Sequence, residues 1–203
     1  MNNRVVLFLN GEIPNQFPDL SLYDKIYCTD GSFNYLKKNN ITPDVITGDF
    51  DSIEQSDLPK DIQLIHTPDQ EFTDFEKVLK IITENNSKSV DVFGASGKEQ
   101  DHFLGNLNVA YKYKEQIEII FFDNYSKYFF TDKVTKLSNV LDQTISLFPF
   151  PSCKGITTKG LEFPLFQEDL NLLDRIGTRN KAIENTIEID YKDGELILFI
   201  LTS

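Results

Sequence analysis

Six short apolar runs alternate with helical patterns over roughly the first 125 residues. The runs are Val5–Leu9, Lys25–Thr29, Asp44–Thr47, Gln63–His66, Ser89–Phe93 and Ile117–Phe122, and several are almost continuously apolar. Such runs suit parallel strands buried on both faces. Between them, Phe33–Lys38, Thr73–Glu84 and His102–Lys114 carry helical patterns. The middle one is the clearest. Phe75, Val78, Leu79 and Ile82 fall at i, i+3, i+4 and i+7, and Thr73 with Glu76 has capping-box spacing. The alternation predicts a doubly wound α/β domain with a mostly parallel sheet over residues 1–125.

Past Asn124 the texture changes, which places a domain boundary near residues 125–135. Tyr128–Phe130, Thr144–Phe150, Ile156–Leu165 and Thr186–Leu201 read as strands, punctuated by Pro149, Pro151, Gly155, Gly160 and Pro164. A helical period shows only around Phe166–Leu173. Ile187, Ile189 and Tyr191 alternate with polar residues before Asp193-Gly194 and the run Leu196–Leu201, a hairpin signal. Residues 135–203 are expected to form an all-β antiparallel sandwich.

Composition limits what these domains do. In 203 residues, 40% hydrophobic with 17 Phe, there is material for a substantial core. A formal net charge of -12 argues against a nucleic-acid partner, which calls for a basic patch. Cys28 and Cys153 lie far apart without metal-ligand spacing, so a reducing cytoplasm is expected. No apolar run approaches the roughly 18 residues of a membrane span, and the opening run is too short for a signal segment.

The carboxyl ends of the first-half strands carry the chemistry. Thr29-Asp30-Gly31 follows the second, Gly48-Asp49-Phe50-Asp51-Ser52 the third, Pro68-Asp69-Gln70 the fourth and Gly94-Ala95-Ser96-Gly97 the fifth. In a parallel sheet these ends share the edge where open α/β sheets bind ligands. Asp30, Asp49, Asp51, Asp69 and Asp74, with Asp101 beyond Gly97, are therefore expected around one crevice. Alternation along an extended segment would put Asp49 and Asp51 on one side. Two carboxylates about 4 Å apart repel by roughly 1 kcal/mol in water and about 4 kcal/mol at an effective dielectric of 20. They call for a cation, and oxygen-only ligands suit Mg²⁺. A plain polar turn is the competing reading of Gly48–Ser52.

Thr73-Asp74 reads both as a helix start and as a place where phosphate and its metal are held. The loop Gly94–Lys98 lacks the spacing of a P-loop and has Glu99 where Ser or Thr would follow the lysine. It reads as a backbone cradle or as a tight turn. His66 reads as a packed strand residue, whereas His102 beside Asp101 is placed at the crevice.

In this order, Asp30-Gly31, Gly48–Ser52, Pro68–Asp74 with Lys77, and Gly94–Gly97 leading to Asp101-His102 and Asn106 resemble the thiamine pyrophosphokinase family. The resemblance implies one-step transfer of the terminal pyrophosphoryl group of ATP to the thiamine hydroxyl, with Mg²⁺ and release of AMP. It also implies a homodimer with thiamine bound between subunits, the second domain binding thiamine and making the dimer. By motif, Asp49, Asp51 and Asp74 resemble the metal-coordinating acids. Asp30, Gly31, Ser52, Asp69, Gln70, Thr73, Lys77, Gly94, Gly97, Asp101 and His102 resemble the ATP and pyrophosphate path, and either Asp101 or Asp74 is expected to orient or deprotonate the hydroxyl as a catalytic acid. Thr178, Arg179 and Asn180 match the thiamine-contacting segment loosely, with Arg179 where the family has serine. The family's phosphate-binding arginine is absent, and Lys98 or Arg179 is expected to replace it. A pyrophosphokinase for a pterin-like heterocycle and a non-catalytic nucleotide-binding regulator are the alternative readings.

Overall fold

The computed structural model describes residues 3–51, 53 and 61–202, which form two compact units dividing between Asn124 and Tyr125. In the first, β1 (Arg4–Phe8), β2 (Lys25–Thr29), β3 (Val45–Gly48), β4 (Gln63–His66), β5 (Ser89–Phe93) and β6 (Glu118–Phe122) make a sheet. Their order is β4-β3-β2-β1-β5-β6. Every neighbouring pair is parallel. Helices α1 (Asp30–Lys38), α2 (Asp74–Glu84) and α3 (Gln100–Tyr113) connect the strands.

Both sheet faces are covered, which is why β1 reads as an unbroken apolar run. Val6, Phe8, Cys28 and Ile46 share one cluster with Phe33, Tyr35 and Leu36 of α1. Val5, Leu7, Tyr27 and Val45 alternate to the opposite face and are also buried. On that second face Phe75 of α2 meets Phe121 of β6, ring centroids 5.8 Å apart. Each such fully buried large side chain stabilises the fold by about 1.5–3 kcal/mol. The predicted α2 stripe of Phe75, Val78, Leu79 and Ile82 is buried throughout. Thr73 caps the helix by accepting the Glu76 N–H at 3.2 Å. The reciprocal half of the capping box is replaced, because the Glu76 carboxylate pairs with Lys112 of α3 at 3.2 Å.

Asp91 brings a carboxylate into this core. Asp91 of β5 is 1% exposed and takes both Arg4 Nη2 at 2.5 Å and the Tyr23 hydroxyl at 2.7 Å on Oδ2. The Arg4 guanidinium also lies over the Tyr23 ring.

The second unit is all-β. It contains β7 (Ser126–Phe130), β8 (Val134–Ser138), β9 (Thr144–Lys159), β10 (Glu168–Asn171), β11 (Gly177–Lys181), β12 (Thr186–Asp190) and β13 (Asp193–Leu201). The pairs are antiparallel, and most involve the long β9, which takes β10, β11, β12 and β13. A core of Ile145, Leu147, Ile156, Leu170, Ile187, Ile189, Leu196 and Leu198, among others, lies within it.

Three expectations are corrected here. The helical period around Phe166–Leu173 belongs to strand β10, in which Leu170 turns into the core opposite Cys153 while Phe166 and Leu173 stand exposed. Thr144–Phe150 and Ile156–Leu165 are not separate strands, since β9 continues to Lys159. Gly194 lies opposite Cys153 and Leu196 opposite Pro149, so the intervening Pro151 falls in a register shift that needs no ladder N–H from it. The hairpin at Asp193-Gly194 does not form. Asp190 lies opposite Thr157 and Asp193 opposite Lys154, so β12 and β13 run on along β9. Gly194, at φ +83°, serves the bulge, and an added Cβ would lie 2.1 Å from the Ser152 carbonyl. No helix among the described residues is long and apolar enough to cross a membrane.

Candidate active site

The strand order reverses at β1. The chain steps outward through β2, β3 and β4, then returns to place β5 on the other side of β1. Open α/β sheets bind ligands outside the carboxyl ends at such a switch point. Here the loops after β1 and β5 lie backbone against backbone. Gly11 N–H donates to the Gly94 carbonyl and Glu12 N–H to the Ser96 carbonyl, both at 2.7 Å. Glycines make the approach possible. A Cβ on Gly11 would lie 2.2 Å from the Gly94 oxygen, and one on Gly97 2.4 Å from Glu12 Cβ. A cleft of about 420 Å³ opens beside these loops.

Asp49 lines the cleft, and Asp51 does not. The expectation that they share a side fails because the strand ends at Gly48 and Phe50 is left-handed, at φ +65°. Asp49 Oδ1 accepts the Asp51 N–H at 3.1 Å, closing a turn. That backbone state costs on the order of 1–2 kcal/mol for a non-glycine residue. Two contacts hold it. Phe50 N–H donates to Asp30 Oδ2 at 3.1 Å, and its ring stacks on His66 at 5.9 Å. Asp30 also accepts Gly31 N–H at 2.7 Å and packs so closely on Gly48 that a Cβ there would lie 2.3 Å from its Cγ. Burial pushes the Asp30 carboxyl up, the two N–H donors oppose this, and the charges of Asp74 and Asp49 push it further up. Asp30 therefore feels the charges of both Asp74 and Asp49. Ser52 lies outside the described residues.

Gln70, Thr73, Asp74 and Lys77 line the cleft from the start of α2. Lys77 Nζ donates to the Thr67 carbonyl at 3.1 Å and the Asp69 carbonyl at 3.0 Å, and pairs with Asp74 Oδ1 at 2.8 Å. Its three donors are thereby spent on holding the β4–α2 loop. Asp69 makes a turn with Glu71 N–H at 2.8 Å and does not line the cleft.

Gly94, Lys98, Asp101 and His102 line the cleft beside the start of α3. Asn106 Nδ2 donates to the Ala95 carbonyl at 2.9 Å and ties the glycine loop to that helix. Asp101 Oδ1 accepts the His102 N–H at 2.9 Å, and His102 Nε2 stands 3.7 Å from Glu99. Gly31 and Gly97 support the cleft from behind rather than lining it.

In the second unit Thr178, Arg179 and Asn180 sit on β11. Arg179 is left-handed at φ +56°, its N–H donating to Ser146 Oγ at 2.9 Å. Asn180 clamps Phe163 by accepting its N–H at 3.0 Å and donating to its carbonyl at 2.7 Å.

Among the described residues no three His, Cys, Asp or Glu side chains stand close enough to hold a metal ion. Asp49 and Asp74 line the same cleft, where Lys77 engages Asp74, and Asp51 follows Asp49 across the Phe50 turn. Sequence reasoning also missed Asn10 and Gly11, which line the cleft. An Asn-Gly step directly after a first strand was the available signal.

Comparison with known proteins shows the family. A family profile described as "Thiamin pyrophosphokinase, catalytic domain" matches residues 20–121. Another, "Thiamin pyrophosphokinase, vitamin B1 binding domain", matches residues 133–196. Thiamine pyrophosphokinase 1 of Oryza sativa subsp. japonica is 31% identical over 173 residues, covering 76% of this chain and 64% of the rice protein. Thiamine pyrophosphokinase of Bacillus subtilis (strain 168) is 26% identical over 208 residues, covering 96% of this chain and 97% of that one. A crystal structure of thiamine pyrophosphokinase from Bacillus subtilis superposes with a TM-score of 0.83 at 24% identity, over 98% of this chain and 99% of that chain.

Proposed function

Because this chain belongs to the thiamine pyrophosphokinase family of diphosphate transferases, we propose that it transfers the terminal pyrophosphoryl group of ATP to the thiamine hydroxyl, giving thiamine diphosphate and AMP. The observation that carries the reading is the switch-point cleft, which holds acids and a glycine cradle within the stretch matched by the catalytic profile. Transfer of this kind depends on positioning and charge neutralisation rather than covalent chemistry. The Gly94–Gly97 loop and the α2 start would take the polyphosphate, with Lys98, among the described residues lining the cleft, the lysine whose donors are not all spent on the fold. The residues fit Mg²⁺, which is commonly held by one or two carboxylates together with substrate phosphates, so no three-acid cage is needed beforehand. Asp49 and Asp74 would hold it, with Asp51 of the same turn as Asp49. When bound, it would neutralise charge on the phosphate oxygens. Asp101, whose Oδ1 accepts the His102 N–H at the edge of the cleft, would orient the attacking hydroxyl.

The second unit would act as a sandwich that binds thiamine and forms a homodimer. Thr178 and Arg179 would contact thiamine, and Asn180 would fix the exposed Phe163. The B1-binding match favours thiamine over a pterin-like heterocycle. Incubation with Mg-ATP, followed by chromatography of nucleotides, tests the proposal. AMP formed only when thiamine is present supports it. AMP formed with a hydroxymethylpterin and not with thiamine overturns it.

A further inference from the structure

Asn10 precedes the stretch matched by the catalytic profile, which begins at residue 20, yet it lines the cleft. Its position is fixed from two directions. The loop that carries it is tied to the β5 loop by the 2.7 Å bonds from Gly11 and Glu12. Its side chain packs on Gly31, where an added Cβ would lie 2.7 Å from Asn10 Nδ2 and 3.0 Å from Cγ. The remaining end, Oδ1, accepts from Lys98 Nζ at 3.1 Å.

Lysine is a single-point cation on a flexible stem and does not carry the rigid fork of a guanidinium. Something else must hold it in place if it is to meet phosphate oxygens. One of the three ammonium donors goes to Asn10, which leaves two. A neutral amide orients the ammonium without cancelling its charge, whereas a carboxylate at position 10 would orient and neutralise it together.

Building on the pyrophosphoryl-transfer reading, we propose that Asn10 is a positioning residue that holds the Lys98 ammonium for the polyphosphate of the nucleotide. The test is a double-mutant cycle of Asn10→Ala, Lys98→Met and the combined variant, with Asn10→Asp alongside. Thiamine-dependent AMP formation, Mg-ATP affinity by calorimetry and thermal melting are read for each. Asn10→Ala is expected to lower kcat/KM for ATP by about tenfold alone and by less than about twofold in the Lys98→Met background. Asn10→Asp should lose more than Asn10→Ala, with melting unchanged in both. An equal loss in both backgrounds, or an Asn10→Asp variant with full activity, would overturn the proposal. If the unaltered chain forms no AMP with thiamine, the function reading fails on its own, and the same cycle in Mg-ATP affinity still decides the role of Asn10.

Discussion

Gly11→Ala puts a single methyl group where two loops meet. The new Cβ would lie 2.2 Å from the Gly94 oxygen and 2.4 Å from the Ser96 oxygen, both backbone atoms that no rotamer change relieves. Restoring contact to 3.0 Å requires the loops to part by at least about 0.8 Å in a close-packed setting. The two 2.7 Å bonds between the loops then stretch to about 3.5 Å, past useful geometry. Each bond contributes about 1 kcal/mol, and with lost packing the total cost is about 2–3 kcal/mol. For a unit of this size that is a fall in Tm of about 8–12 °C. A displacement near 1 Å beside the reacting groups also costs about 100-fold in turnover. Gly105→Ala is the control, since nothing lies within 4 Å of its Cβ on α3, and helix propensity alone should stabilise it by about 0.5–1 kcal/mol. Melting curves and AMP formation for both variants decide the matter. If Gly11→Ala melts and turns over like Gly105→Ala, the abutting loops do not organise the cleft.

Asp49→Asn and Asp74→Asn should each lower turnover at least about 100-fold with the fold intact by circular dichroism, because each would replace a charged carboxylate of the proposed metal site with a neutral amide. Lys98→Met should cost roughly 10³-fold in turnover at saturating ATP, whereas Arg179→Met should raise the KM for thiamine and keep most of the turnover once ATP and thiamine are both saturating; the reverse pattern would move the phosphate cation to the second unit. Arg4→Met leaves the buried Asp91 charge uncompensated and should destabilise by about 3–5 kcal/mol in urea titration, with Mg-ATP affinity unchanged. Burial pushes the Cys28 and Cys153 thiols up to about 12 each. Unfolded thiols ionise near their ordinary 9.0, so the unfolded chain sheds protons first and stability falls as pH rises from about 9 toward 12. Iodoacetamide at pH 8 should accordingly leave both cysteines unmodified until denaturant is added.

The middle of the first unit's sheet was legible because strands such as β1, β3 and β5 are buried on both faces. Ser89–Phe93, for instance, reads as a strand from apolar content alone and is one. The α2 stripe was legible for the same local reason. What failed depended on partners distant in sequence. Glu168–Asn171 becomes a strand because β9 offers it an edge, and Asp193-Gly194 becomes a bulge because β9 runs on past it. The acidic ends were found by composition, but their geometry was not. Period-2 alternation ended at Gly48, and the left-handed Phe50 put Asp49 and Asp51 in a turn rather than on one side of a strand. Asn10 stayed hidden since its role arises from contacts with Gly31 and with Lys98, the latter 88 residues away.

In the proposed reaction both terminal phosphates of ATP move together to thiamine. Phosphorus-31 NMR of a reaction holding Mg-ATP, thiamine and the protein follows every phosphorus species at once. The expected spectrum shows AMP and thiamine diphosphate rising in equal amounts, without ADP or free pyrophosphate. Accumulation of ADP with thiamine monophosphate would mean single phosphoryl transfer, and would contradict the account.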